Sequence, residues 1–407
     1  LKLEEFELPA IKDDEILVKV ISNSVCMSTY KAVIQGNKHK RVPENIATNP
    51  TIMGHEFSGE IVEVGGQHQD EFKVGQKFAI QPALNYKGSP YAPGYSFEFF
   101  GGLATYCIIP KEVMELGFLL DYTGEGFYDA SLSEPMSCVI GGFHANYHTE
   151  LGKYVHHMGI KEGGKMALLA GVGPMGLGAI DYAIHCDRKP GLLVVTDINE
   201  ERLARAEKLF PVEEAAKEGV TLKFVNTSKV DNPVEALMDI SEGTGYDDVF
   251  VYAPVKPVIE DGDKILGKDG CMNFFAGPSD TSFNANVNFY NIHYTPTPIL
   301  GSTGGNADDM KESLDMSVKG LINPAVMVTH VGGITCAADT IINLPKIPGG
   351  KKLVYNSIDM PLTAIDDFEE LGKTDSLFKG LAECVAKTKG LWNAEAEKYL
   401  LENGKQI

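Results

Sequence analysis

Cys26, His55, Glu56 and Glu134 carry side chains of the kind that bind a catalytic metal. Cys26 begins Cys26-Met27-Ser28 after an extended run, His55 and Glu56 stand in Gly54-His55-Glu56, and Glu134-Pro135 opens a helical stretch. Thiolate, imidazole and carboxylate are the donors of an open zinc site, where three protein ligands leave a position for water or substrate. A cation so placed polarises an alcohol oxygen and stabilises the alkoxide that hydride loss requires. Each residue alone says little, since a lone cysteine is more often a small buried hydrophobe. Spacing this wide does not by itself assemble a site.

A second feature could hold phosphates. Gly171-Val172-Gly173-Pro174-Met175-Gly176 matches G-x-G-x-x-G, between an apolar strand at Lys165–Ala170 and an apolar helix at Met175–His185. The first glycine of such a loop permits the tight turn, the second lets backbone approach a pyrophosphate, and the third lets helix and strand pack closely. The helix N-terminus then faces the phosphates. Asp197 ends the next apolar strand about 20 residues further on, where an acid accepts the ribose hydroxyls. An acid there repels a 2′-phosphate and favours NAD over NADP. Arg202, one helical turn beyond, is placed to cover the adenosine.

The elements that must position these groups have two textures. Short β-like runs at Glu15–Ser22, Phe57–Val64, Lys77–Gln81 and Leu103–Ile109 are broken by Gly and Pro, as in an all-β module. Pro82–Phe100 reads as a loop with a Phe97, Phe99 and Phe100 cluster, and Asp129 to His148 as helix, with His144 and His148 on one face. His156 and His157 fall in an inserted loop. From Lys165 onward, apolar strands at Leu192–Val195, Leu222–Val225, Val249–Tyr252 and Cys271–Ala276 alternate with helical segments such as Glu200–Leu209. That alternation is α/β, a doubly wound parallel sheet. A helix at Ala307–Lys319 and a strand near Val326–His330 come next, and Pro361–Ile407 reads as two amphipathic helices. Such short helices need a docking surface to be stable.

Composition bounds the partners. With 36 Lys and Arg against 56 Asp and Glu, the chain carries a formal charge of −20, which argues against nucleic-acid or anionic-membrane binding. No apolar run approaches the roughly 20 residues that span a bilayer, and a charged-then-apolar signal peptide is not expected from the first residues of the sequence, which start at Leu1 without a methionine. The seven cysteines are scattered without a C-x-x-C pair, which suits the cytoplasm and excludes a zinc site built of clustered cysteine pairs.

Order and wording add to this. Gly54-His55-Glu56-x-x-Gly59-x-x-x-x-Val64-Gly65, with Cys26 before it and the glycine loop after it, resembles the zinc-containing medium-chain dehydrogenases. Glu134-Pro135-Met136-Ser137 is similar to the polyol (sorbitol) dehydrogenase branch, and Val74-Gly75-Gln76-Lys77 and Gly101-Gly102-Leu103-Ala104-Thr105-Tyr106 match the family's β-domain. The resemblance implies a GroES-like catalytic domain over residues 1–150, a Rossmann domain over 151–300, a return to the catalytic domain over 301–360 and a helical extension over 361–407, with the active site in the cleft between domains. It implies that Cys26 and His55 bind one zinc ion, that Glu56 is a ligand or a partner that moves on and off the metal, and that Glu134 binds directly or through water. It places Ser28 as the hydroxyl that passes on the substrate proton. A homodimer or homotetramer is expected by the same resemblance.

The departures are specific. The family's four-cysteine lobe is missing, since Pro82–Phe100 has no cysteine, so no structural zinc is expected. Thr29 stands where an aspartate usually orients a ligand, and Lys31 where a histidine often ends the proton relay. The basic run Lys38-His39-Lys40-Arg41 is an exception in so acidic a chain, in a segment that forms part of the family's cleft rim. Lys38, Lys40 and Arg41 would hold a substrate phosphate; a solvated basic loop is the plainer reading. The tail and the wording of residues 20–60 are also similar to sugar-phosphate reductases of the L-sorbose 1-phosphate type. The expected activity is hydride transfer between a nicotinamide cofactor and a secondary alcohol or ketone of a polyol or sugar phosphate, with a free polyol as the competing substrate. Two other functions remain open: a dinucleotide sensor or assembly protein without turnover, and a zinc-free NADPH enone reductase, which Asp197 disfavours.

Overall fold

Strand β1 (Ile16–Val25) buries Ile16, Val18 and Val20 completely, and the candidate metal site is built from its far end. The structure is a computed structural model describing residues 1–407. β2 (Glu56–Val64), β3 (Lys77–Ile80), β4 (Tyr106–Ile109) and β5 (Leu119–Asp121) come after β1. A hairpin, β6 (Tyr147–Glu150) and β7 (Lys153–Met158), precedes a run of six strands: β8 (Lys165–Leu169), β9 (Leu192–Asp197), β10 (Thr221–Asn226), β11 (Tyr246–Val251), β12 (Leu266–Phe274) and β13 (Ile299–Leu300). β14 (Val328–Gly333), β15 (Lys351–Tyr355) and β16 (Thr363–Ala364) are the last strands.

The chain forms two compact units. The first holds Leu1–Glu134, Asn306–Gly320 and Met327–Ile407; the second holds Pro135–Gly305 and Leu321–Val326. These bounds differ from the divisions at 150, 300 and 360 read from the sequence. The first of them falls inside the continuous helix Phe127–Ala145, where no change of composition marks it.

In the first unit the strands run in the order β16-β14-β15-β1-β2-β3-β5, with β4 also pairing β1. β1 therefore lies between the β15 and β2 ladders, both antiparallel to it. Beneath the sheet, Ile16, Val18, Phe57, Phe78, Phe100 and Ile109 share one core, so Phe100 of the aromatic loop is packing. The tail docks on this unit. Its helices Ser376–Ala386 and Ala394–Asn403 bury Leu381, Val385, Ala396 and Leu400, and Trp392 between them is fully enclosed.

In the second unit six parallel strands run β10-β9-β8-β11-β12-β13. The apolar runs of the central strands β8, β9 and β11 are buried nearly throughout, as helix-covered parallel strands must be. Order reverses between β8 and β11, the switch point at which such sheets take ligands. Two expectations are corrected here. His148 is not on the helix, which ends at Ala145, but on β6, with Nε2 3.3 Å from Asp248 Oδ1 and Nδ1 3.0 Å from the Asp269 carbonyl oxygen. His156 and His157 lie on β7, paired with Thr149 and His148, rather than in a loop. No helix is long and apolar enough to cross a membrane.

Candidate active site

Strand register does what sequence spacing cannot. Ser24 of β1 lies opposite Glu56, the first residue of β2. Cys26, which caps the helix Met27–Gln35, and His55, one residue before β2, therefore leave the same end of one ladder. Gly54 makes the approach to β2 at φ +88°, and a Cβ there would stand 2.5 Å from Asn23 Oδ1. Only glycine tolerates both the left-handed backbone and that contact. As a result Cys26 Sγ, a ring nitrogen of His55 and a carboxylate oxygen of Glu56 lie within 4.8 Å of one another. Sulfur, nitrogen and oxygen donors at that range fit a zinc ion.

The surroundings orient His55. Its Nε2 lies 3.4 Å from both Ser28 Oγ and the Tyr95 hydroxyl, and its Nδ1 lies 3.4 Å from Thr29 Oγ1. Thr29, fully buried, thus meets the ring at the nitrogen opposite Ser28 and Tyr95, at the position where the expected aspartate is missing. Burial holds the imidazole below its usual pKa, against the pull of Glu134 and Glu56. Neutral imidazole is the ligating form. Burial and the Glu56 charge push the Cys26 thiol up, with Lys351 opposing them.

Glu56 has a partner that the sequence did not reveal. Lys351 Nζ lies 2.5 and 2.7 Å from its two carboxylate oxygens, and the Ser24 hydroxyl donates to Oε2. Burial alone would raise the Glu56 pKa, but the Lys351 charge and then His55 outweigh it and hold it down. β15 places this lysine: Lys352 pairs with Val25 and Leu353 with Ser24, so Lys351 comes level with the end of β1. Glu134, on the helix Phe127–Ala145, is outside the tight three-residue group but acts electrostatically on it. Burial and then the Glu56 charge push its carboxyl up to about 7, while His55 works the other way.

Tyr95, in the aromatic loop, is the second residue missed. Its hydroxyl donates to Ser28 Oγ at 2.8 Å, and Ser28 in turn donates to Cys26 Sγ at 3.0 Å. Its ring takes the basic run on its faces: His39 stacks at 5.7 Å and 8°, and the Arg41 guanidinium lies 5.2 Å from the ring centre. The run therefore divides. Arg41 is half-buried against Tyr95, while Lys38 and Lys40 are exposed. The only advance sign of Tyr95 was the crowding of aromatics into a long loop.

In the second unit, β8 leads through the glycine loop into the helix Pro174–His185, capped by Gly173. A Cβ on Gly176 would meet the Gly171 carbonyl oxygen at 2.1 Å, whereas one on Gly173 would meet nothing within 4 Å. The third glycine is thus needed for packing, and the second leaves an open cradle at the helix N-terminus, the shape a pyrophosphate requires. Asp197 ends β9, and its Oδ1 accepts from the amides of Ile198 and Asn199. Arg202 is exposed, and its amide donates to Asn199 Oδ1. Backbone cradle and strand-end acid together fit a nicotinamide dinucleotide.

Comparison with known proteins agrees with this arrangement. Residues 12–116 match the alcohol dehydrogenase GroES-like domain and residues 174–319 match the zinc-binding dehydrogenase model. The chain is 56% identical over 404 residues to mannitol-1-phosphate 5-dehydrogenase of Aliivibrio fischeri, covering 99% of this chain and 95% of that one. It is 43% identical to L-sorbose 1-phosphate reductase of Klebsiella pneumoniae, covering 100% and 96%. The crystal structure of 2R,3R-butanediol dehydrogenase from Bacillus subtilis superposes with a TM-score of 0.69 at 21% identity, covering 87% of this chain and 96% of that one. The chain is an oxidoreductase belonging to the zinc-type medium-chain alcohol dehydrogenases, in their polyol dehydrogenase branch.

Proposed function

We propose that this enzyme is NAD-linked, carries one zinc ion, and interconverts a secondary alcohol of a polyol phosphate with the corresponding ketone. The observation that carries the phosphate is Tyr95. One ring links a guanidinium to the hydroxyl and imidazole of the metal group, so a phosphate on Arg41 leaves the rest of a short polyol near Ser28. Relatives 56% and 43% identical, named for sugar-phosphate substrates, support the same class.

Cys26, His55 and either Glu56 or Glu134 would hold the zinc, a Lewis acid for the substrate oxygen, and the glycine loop with Asp197 would hold NAD, the hydride acceptor. Ser28 Oγ takes the proton of the substrate hydroxyl on the lone pair that Tyr95 leaves free and gives up its own hydroxyl proton to solvent, so that it stays neutral. Tyr95 fixes where that oxygen stands. Lys351 keeps Glu56 anionic, so the charge behind the thiol is constant. Arg41 grips the phosphate through charge-assisted hydrogen bonds.

Arg41→Ala is expected to raise KM for sorbitol 6-phosphate or mannitol 1-phosphate by about 10- to 100-fold, the loss of one or more charge-assisted bonds of about 1.5–3 kcal/mol. Oxidation of free sorbitol should be untouched, and Lys38→Ala and Lys40→Ala should have smaller effects because those side chains are exposed. Initial-rate NADH formation across phosphorylated and free polyols measures this. Equal Michaelis constants for wild type and Arg41→Ala on every phosphorylated substrate would refute the phosphate assignment. Asp197→Ser should cut the preference for NAD over NADP by at least about tenfold, roughly 1.4 kcal/mol. A wild type that prefers NADP overturns the cofactor reading.

A further inference from the structure

The helix Phe127–Ala145 carries Glu134 and begins without a cap of its own. The residue before it, Gly126, has no side chain, yet the amides of the first turn lack intrahelical partners and need acceptors. The tail supplies them. Glu397, 2% exposed on the helix Ala394–Asn403, accepts from the amide of Phe127 at 2.6 Å and of Tyr128 at 2.9 Å. A third donor, the Tyr355 hydroxyl, reaches its Oε2 at 2.7 Å and in turn accepts from Trp392 Nε1 at 2.7 Å. Burial pushes the Glu397 carboxyl up to about 7, while the Tyr355 hydroxyl and the two amides work the other way and satisfy its oxygens.

The consequence lies two turns away. Glu134 stands seven residues beyond Phe127 on a helix, about 10 Å along the axis and on the same stripe. Directly after it, Pro135 has no amide hydrogen, so the helix lacks its bond from residue 135 to the Ser131 carbonyl. The segment 127–134 is therefore joined less firmly to residues 136–145 than it would be in an uninterrupted helix. Its direction depends on its own anchors: Glu397 at the end, Ser131 Oγ against Ser22 Oγ of β1 at 3.0 Å, and Ala130 in a small core with Met310 and Leu314.

We propose that the C-terminal extension is a positioning element of the metal site, in which Glu397 pins the first turn of this helix and so sets where Glu134 stands relative to Cys26 and His55. This rests on reading Glu134 as a carboxylate of that site. Glu397 touches no reacting group, so it is a positioning residue and not a catalytic one.

The test is zinc affinity by chelator competition on the full-length protein, for Glu397→Ala, Glu397→Gln, Glu134→Gln and the double variant Glu134→Gln/Glu397→Ala. Leu400→Ala serves as a control that loosens the same tail helix without touching the cap. Glu397→Ala is expected to weaken zinc binding by about 10- to 100-fold, the usual effect of removing a group that orients a ligand. Glu397→Gln, which keeps one acceptor, should lose several-fold and carries the test if the alanine variant does not fold. The Glu397 effect should vanish in the Glu134→Gln background, and Leu400→Ala should stay within about threefold of wild type. In the zinc-free protein, amide exchange at 127–130 should quicken in Glu397→Ala. Additive losses in the double variant, an unchanged affinity in Glu397→Ala or Glu397→Gln, or an equal loss in Leu400→Ala at matched Tm overturns the proposal. A wild type without zinc affinity, or a Glu134→Gln variant equal to wild type, fails the underlying site reading instead.

Discussion

Lys351→Met is expected to destabilise the zinc-free protein by about 3–5 kcal/mol, the cost of leaving one charge of a buried pair without its partner. The side chains of Lys351 and Glu56 are 7% and 1% exposed, so water cannot take the place of the missing ammonium. The carboxylate would keep only the Ser24 hydroxyl and the nearby imidazole. It must then either stay charged in a poor medium or take up a proton, and both weaken the fold. Glu56→Gln in the same chain removes the charge and keeps the shape. The double variant Lys351→Met/Glu56→Gln should therefore recover most of the loss, measured by urea unfolding at neutral pH in the presence of a chelator. Recovery would show the pair to be a matched unit. A single Lys351→Met variant within about 1 kcal/mol of wild type would mean that the ion pair is not formed in solution. The same variants bear on the third zinc ligand. With both Glu56 oxygens against Lys351 Nζ, Glu134→Gln is expected to cost more zinc affinity than Glu56→Gln.

Lys351 also shows where sequence reading stops. Nothing local in Gly349-Gly350-Lys351-Lys352 says that both lysines are buried or that Lys351 meets a carboxylate. Its partner is 295 residues away, and only the β1–β15 register brings them together. Tyr95 and Glu397 are of the same kind, since their roles depend on what a loop and a tail fold against. The parallel sheet was legible because its strands are continuous apolar runs separated by helices, and the glycine loop because each glycine answers a local need of the backbone. Cys26, His55 and Glu56 were legible only as types and order. That β1 and β2 pair so that Ser24 faces Glu56 is a long-range fact, and it is what turns three scattered residues into a cluster. The division of the basic run is likewise tertiary. Four adjacent residues, equal on paper, separate into two that meet Tyr95 and two that meet solvent.

The largest change in activity should come from Cys26→Ala. Removing the thiol takes away the soft donor of the group and leaves imidazole and carboxylates, which also serve magnesium and manganese. The variant should lose its zinc on dialysis under conditions in which the wild type keeps it. Its kcat/KM for a polyol phosphate should fall by about 10³-fold or more, equivalent to roughly 4 kcal/mol of lost transition-state stabilisation. Two comparisons separate the metal from its neighbours. Ser28→Ala removes the hydroxyl that donates to Cys26 Sγ and accepts from Tyr95, and it should keep the zinc while losing rate. General acid–base groups contribute about 10²–10⁴-fold, so its loss can match that of Cys26→Ala in size but not in metal content. NAD affinity, read by quenching of the protein's intrinsic fluorescence or by calorimetry, should be unchanged in both, because the glycine loop and Asp197 belong to the other unit of the chain. A Cys26→Ala protein that retains full activity, with or without zinc, would show that metal chemistry through this thiol does not carry the turnover, and would favour the zinc-free reductase reading.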